Sequence, residues 1–177
     1  MVKKRGFGKI VTVIGASLGL ASVLLSLIFP ELWGWYRFKS SSFGFSQSFY
    51  LTGFGTVGAI PPFSFFTGIA ILVAIGGLLV ILGSILCIVA SVKKAKAMGF
   101  LGGVLIILGP ILLMIDILAG ISAYGEYIKF YLDLFVTTNV FWNIGSTMVF
   151  TYSWGIGIGF FMGAAGGVLG SIGGLAL

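Results

Sequence analysis

Residues 155–175 read GIGIGFFMGAAGGVLGSIGGL, an uncharged run with glycine at positions Gly155, Gly159, Gly163, Gly166, Gly167, Gly170, Gly173 and Gly174. Steps of three and four residues place this ladder along one face of a helix. Glycine is a poor helix former in water. Inside a bilayer, small residues let two helix backbones approach closely, and that packing replaces the missing hydrophobic drive. The run therefore predicts a membrane span built for tight contact, with Gly155, Gly159, Gly163, Gly167, Gly170 and Gly174 as packing positions. A second small-residue row, Gly15, Gly19, Ser22 and Ser26, lies in the first apolar run. Together the two rows predict that the first and last helices pack against each other within one chain.

Composition agrees with this reading. Hydrophobic residues make up 59% of the 177 and charged residues 8%, a balance that excludes an ordinary water-soluble domain. The expected fold is mainly α: a single membrane domain, 1–177, with four transmembrane helices in a left-handed bundle. The spans are placed at 10–29, 63–92, 98–122 and 150–175, each long enough for the hydrocarbon core. A cytoplasmic loop, 93–97, joins the central pair; outer loops occupy 30–62 and 123–149. A secretory signal would have a shorter apolar region, about 7–15 residues, so the first span is expected to remain. The net charge of +6 is unevenly spread. Lys3, Lys4, Arg5 and Lys9 precede the first span, and Lys93, Lys94 and Lys96 follow the second, whereas Arg37, Lys39 and Lys129 fall in the other loops. That asymmetry predicts a multi-pass cell-membrane protein with both termini cytoplasmic. It points to lipid headgroups rather than nucleic acid as the partner of the positive charge.

The first outer loop is too long for a simple connector. Ser40, Ser41 and Ser42 read as a turn between 33–39 and 43–52. Phe43, Phe45, Phe49 and Leu51 then alternate to one side, interrupted by Gln47. A small extracellular β-hairpin or three-stranded sheet is expected there. In the second loop, Glu126, Lys129 and Asp133 follow helical steps, while Tyr127, Phe130, Tyr131 and Leu134 fill another side. The third helix is expected to continue past the membrane or to turn into an amphipathic helix.

Residues suited to catalysis are scarce. The chain has no histidine and a single cysteine, Cys87, so an intrachain disulfide and Cys/His metal or haem sites lack their ligands. Gly53, Gly55 and Gly58 fit a GxGxxG spacing without a strand–helix context, and read as a turn. No enzyme signature, cofactor or metal is expected. Asp116 is the one acid inside an apolar run, and an intramembrane carboxylate raises a functional hypothesis. Six residues from the outer end of its span, it lies only about 9 Å deep. It reads either as hydrogen-bonded to the outer loop or a neighbouring helix, or as a proton or cation site. Pro110, upstream, is expected to kink the helix. Trp33, Trp35 and Tyr36, with Trp142, Tyr152 and Trp154, suit a headgroup-level aromatic belt. Alternatively, Trp33, Trp35, Tyr36, Phe43, Phe45 and Phe49 form an outer protein-contact surface.

The layout resembles the claudin-like tetraspan superfamily. The resemblance rests on Trp33 and Gly34-Trp35 after the first span, Lys93-Lys94-Ala95-Lys96 between the central spans, and Gly145 and Trp154 before a glycine-rich last helix. The Gly-Leu-Trp element and cysteine pair of claudin first loops are missing here. What the resemblance implies is a structural membrane protein that assembles laterally and makes extracellular protein contacts, as a homo-oligomer or a subunit of a larger complex. Two other readings stand beside it: an accessory subunit of a larger membrane complex, and a small channel or transporter using Asp116.

Overall fold

The computed structural model describes residues 2–42, 45–60, 69–134, 139, 141–146 and 150–177. The described helices are α1 (Val2–Ile28), α2 (Pro30–Trp33), α3 (Ile71–Lys93), α4 (Lys96–Ala119), α5 (Ala123–Leu134) and α6 (Ile158–Leu175). The described strands are β1 (Tyr36–Ser42), β2 (Phe45–Leu51), β3 (Val57–Ile60), β4 (Trp142–Ser146) and β5 (Phe150–Ile156). Four helices are long and apolar enough to cross a membrane: Gly6–Ile28, Ile71–Lys93, Lys96–Ala119 and Ile158–Leu175.

These four are sorted by size rather than by polarity. In α3 the interior positions include Val73, Gly76, Gly77, Val80, Gly83, Ser84, Cys87 and Ala90. Its exposed positions are Ile71, Ile75, Leu78, Leu82, Ile85, Ile88 and Val92. In α6 every buried residue is a glycine, while Ile158, Phe161, Val168, Ile172 and Leu175 face outward. Large side chains outside and backbone inside is the arrangement expected where the surrounding solvent is as apolar as leucine. The helices close into a ring: α1 packs on α6, α6 on α4, α4 on α3 and α3 on α1. The turn from α3 to α4 is tight. Lys94 adopts the left-handed conformation at φ 56°, and its N–H caps the Ala90 carbonyl.

Opposite that lysine turn, one antiparallel sheet caps the bundle in the order β3-β2-β1-β5-β4. The first connecting region supplies three strands, in line with the expected three-stranded element, and the second supplies two more. β1 sits at the centre, with Tyr36 opposite Leu51 on β2 and opposite Ile156 on β5. Phe38 lies in the next row inward-facing, between Phe49 and Trp154. Amphipathic α5 covers this face through Tyr124, Ile128 and Leu132, all buried.

Several boundaries differ from the sequence reading. The last span was expected from residue 150, but Phe150–Ile156 is strand β5 and the helix begins at Ile158. The alternation of Phe150, Tyr152, Trp154 and Ile156 against Thr151, Ser153 and Gly155 carries a strand period inside an apolar run. Ser40, Ser41 and Ser42 are not a turn; they complete β1, opposite Gln47, Ser46 and Phe45. Helix α4 ends at Ala119, because Gly120 turns left-handed at φ 63°, and α5 is a separate helix. The second span begins its described helix at Ile71, and residues 61–68, part of the expected first loop and span, lie outside the described residues.

Candidate functional site

The glycine ladder proves to be two rows. Gly159, Gly166 and Gly173, seven residues apart, meet α1 or the segment following it. A Cβ on Gly166 would lie 2.7 Å from the Gly15 carbonyl oxygen and 2.8 Å from the Gly19 nitrogen, and one on Gly173 would strike the Thr12 backbone. Gly163, Gly167, Gly170 and Gly174 turn toward α4. Their added Cβ atoms would meet Pro110, Ile107, Gly103 and Gly99 respectively. Gly163 stands between the two rows, since Ser22 Oγ is as near to it as Pro110, at 3.2 Å. Gly155 is not part of the helical ladder; it lies in β5, opposite Arg37 and Trp142.

The small residues of α1 divide in the same way. Gly15 abuts Gly166 and Gly170, whereas Gly19 also faces Ser84 Oγ and Ile106. Ser22 Oγ donates to the Gly19 carbonyl at 2.9 Å. Ser26 Oγ donates to the Val23 carbonyl at 2.7 Å and accepts the Gly53 N–H at 2.9 Å, tying α1 to the turn after β2. The α3–α4 seam, which sequence reasoning missed, uses the same device. Gly76 meets Gly109 and Gly83 meets Gly102, two antiparallel pairs whose members are seven residues apart on each helix. That seven-residue spacing was the available signal.

Trp35 joins sheet and bundle. It is fully buried, and its indole N–H donates to the Ser22 carbonyl at 3.1 Å. Its ring fills the space left by three glycines: Cβ atoms added at Gly53, Gly109 and Gly159 would approach it to 2.9, 3.1 and 2.8 Å. Its backbone links the neighbours as well, with N–H to the Leu51 carbonyl at 2.8 Å and carbonyl to the Gly157 N–H at 3.0 Å. The outer contact surface expected from Trp35, Tyr36 and Phe49 is therefore corrected: all three are interior. Tyr36 packs edge-on against Tyr124, and Phe38 stacks on Trp154 with centroids 6.2 Å apart. Trp33 is half-buried beside this assembly; Phe43 lies outside the described residues, and of Phe45 only the backbone is described.

Asp116 is fully buried near the sheet end of α4. Its Oδ1 accepts the Ser122 N–H at 2.9 Å and its Oδ2 accepts the Ser122 hydroxyl at 2.6 Å. Its own carbonyl accepts the Gly120 N–H and, at 3.1 Å, the Ile121 N–H. Ser122 in turn opens α5: its hydroxyl accepts the Gly125 N–H at 3.0 Å and its carbonyl the Glu126 N–H at 2.7 Å. The carboxylate thus fastens the turn between two helices. Among the described residues, no group of three His, Cys, Asp or Glu side chains could hold a metal ion.

The sheet presents its other face outward. Arg37, Lys39, Ser46 and Ser146 are exposed there, and Trp142 and Ile144 are 62% and 68% exposed on β4, the strand at the sheet's edge. β4 contains no proline, lysine or other charge, the devices that commonly protect such an edge. Neither a protein-family model nor a curated protein matches this chain.

Proposed function

We propose that this chain is a non-enzymatic, claudin-like structural tetraspan protein. Its sheet stands on the outer side of a cell membrane, and the basic ends of its helices stand in the cytoplasm. Lateral assembly with like copies or with subunits of a larger complex is its task, and the outer face makes the protein contacts. The observation that carries this reading is the pairing of a dedicated five-stranded cap with an uncharged edge strand exposing Trp142 and Ile144. Exposed backbone donors and acceptors on such an edge can add a strand from a partner. Orientation is supported by Lys93, Lys94 and Lys96 at the opposite end of the bundle. The engagement of both Asp116 oxygens by Ser122 favours this reading over an ion-handling one.

An Ile144→Cys variant tests it, because Cys87 is buried. In intact cells a membrane-impermeant maleimide should label the new thiol, and mild oxidation should yield a covalent dimer. Labelling only after permeabilisation would overturn the orientation. If the variant labels in intact cells, yet unlabelled protein oxidised in parallel stays monomeric, edge-to-edge assembly of like copies would be overturned.

A further inference from the structure

Beside the α1–α6 seam, a cleft of about 150 Å³ opens between α2 and the junction of β5 with α6. Glu31 and Arg37 both line it, together with Leu32 and Ile158. The two charges are of opposite sign, yet among the described residues neither forms an ion pair. Both side chains are exposed. Beside the two charges the lining is apolar at Leu32, 59% exposed, and at Ile158, 44% exposed.

Below the cleft both α1 and α6 expose apolar side chains. Helices α1 and α6 run antiparallel in a register fixed by Gly15 against Gly170 and Thr12 against Gly173. That register sets Leu24 of α1 and Phe161 of α6 at one level, a turn beneath Ile158, each on the face turned away from the other helix. Leu24 and Phe161 are both outward-facing, at 48% and 58% exposure. A cleft with one cation, one anion and exposed Leu32 and Ile158 at a helix end matches the polar head and apolar root of a zwitterionic phospholipid.

We infer that this cleft binds the headgroup of a zwitterionic diacyl phospholipid, with its phosphate on Arg37, its ammonium on Glu31 and its acyl chains leaving past Leu32 and Ile158. Arginine suits the phosphate because its planar fork can donate two parallel hydrogen bonds. Glu31 supplies the selectivity, since a headgroup bearing only negative charge meets a like charge there. The inference rests on α1 and α6 crossing a membrane but not on the proposed assembly or orientation.

The test is native mass spectrometry of the full chain, extracted in mild detergent and offered phosphatidylethanolamine and phosphatidylglycerol in equal amounts. Wild type should retain phosphatidylethanolamine preferentially. Arg37→Gln should lower that retention about tenfold, the scale of one charge-assisted contact. Glu31→Gln should erase the preference between the two lipids. Lys39→Gln, which removes the neighbouring cation on the same sheet face, should change neither. Leu32→Trp, which narrows the cleft without altering charge, should displace the lipid. Water-soluble phosphoethanolamine should compete poorly, because it has no acyl chains to cover Leu32 and Ile158. Equal retention by wild type and Arg37→Gln, or equal losses in Arg37→Gln and Lys39→Gln, would overturn the proposal. So would full competition by phosphoethanolamine. Recovery of the wild-type chain in the aqueous fraction would overturn the membrane-spanning reading and the lipid site with it.

Discussion

Asp116 shows how one buried side chain can organise a junction. Its carboxylate and carbonyl together receive hydrogen bonds from Gly120, Ile121 and Ser122, so the chain can leave α4 and enter α5 within three residues. Asp116→Ala should cost about 1–3 kcal/mol, because it removes the acceptor of two donors from half-buried Ser122. Asp116→Asn should cost less, since one acceptor oxygen remains. In a double-mutant cycle of Asp116→Ala with Ser122→Ala, thermal or denaturant unfolding in detergent should reveal a coupling of about 1 kcal/mol or more. Additive losses would separate the two residues energetically. The sequence made Asp116 conspicuous as a lone acid among apolar residues. It did not disclose the partner, because Ser122 is an ordinary serine until Gly120 reverses the chain.

At the scale of elements, glycine sets the distance between helices. A Cβ added at Gly83 would lie 2.5 Å from the Gly102 carbonyl oxygen and 2.9 Å from the Ile106 nitrogen. Backbone cannot retreat as a flexible side chain can, so Gly83→Leu must push α3 and α4 apart. We expect a loss above about 3 kcal/mol, at or beyond the usual range for overpacking, measured by unfolding in mixed micelles. Gly6→Leu, at a site with nothing within 4 Å of the added carbon, should be close to neutral. Equal losses at both sites would detach the effect from the α3–α4 contact. The long uncharged runs made the spans legible, because hydrocarbon demands helices of that length. The same apolarity hid β5, which adjoins α6 with only Gly157 between them. Burial of Trp35 was illegible for another reason: its pocket is assembled from Gly53, Gly109 and Gly159, far apart in sequence. An aromatic residue just beyond a span otherwise reads as part of a membrane belt.

For the molecule as a whole, the cap and bundle share the aromatic layer between the sheet and α5. Burial raises the Tyr36 phenol well above its ordinary value of 10.0. Tyr124 is raised by burial first, and then by the neighbouring phenols of Tyr36 and Tyr127. The folded state therefore favours the neutral phenols, while the unfolded chain ionises them near about pH 10. Their contribution to stability is full below that pH and declines as pH rises above it. Near-ultraviolet circular dichroism should show the aromatic layer loosening in alkali before the spans lose helix. Tyr124→Phe removes a hydroxyl that has no hydrogen-bond partner among the described residues, and should move this loss to higher pH. An unchanged alkaline profile would remove Tyr124 from the account. The central position of β1 also imposes an order on biosynthesis. β1 takes one neighbour from the segment that follows it and the other from β5, just before the last helix. A nascent chain that has already made β1 and β2 must hold β1's second edge open while α3 and α4 are made. Completing the cap and docking the final helix on the bundle are thus one late event, and until then the unfilled edge is a natural substrate for a chaperone.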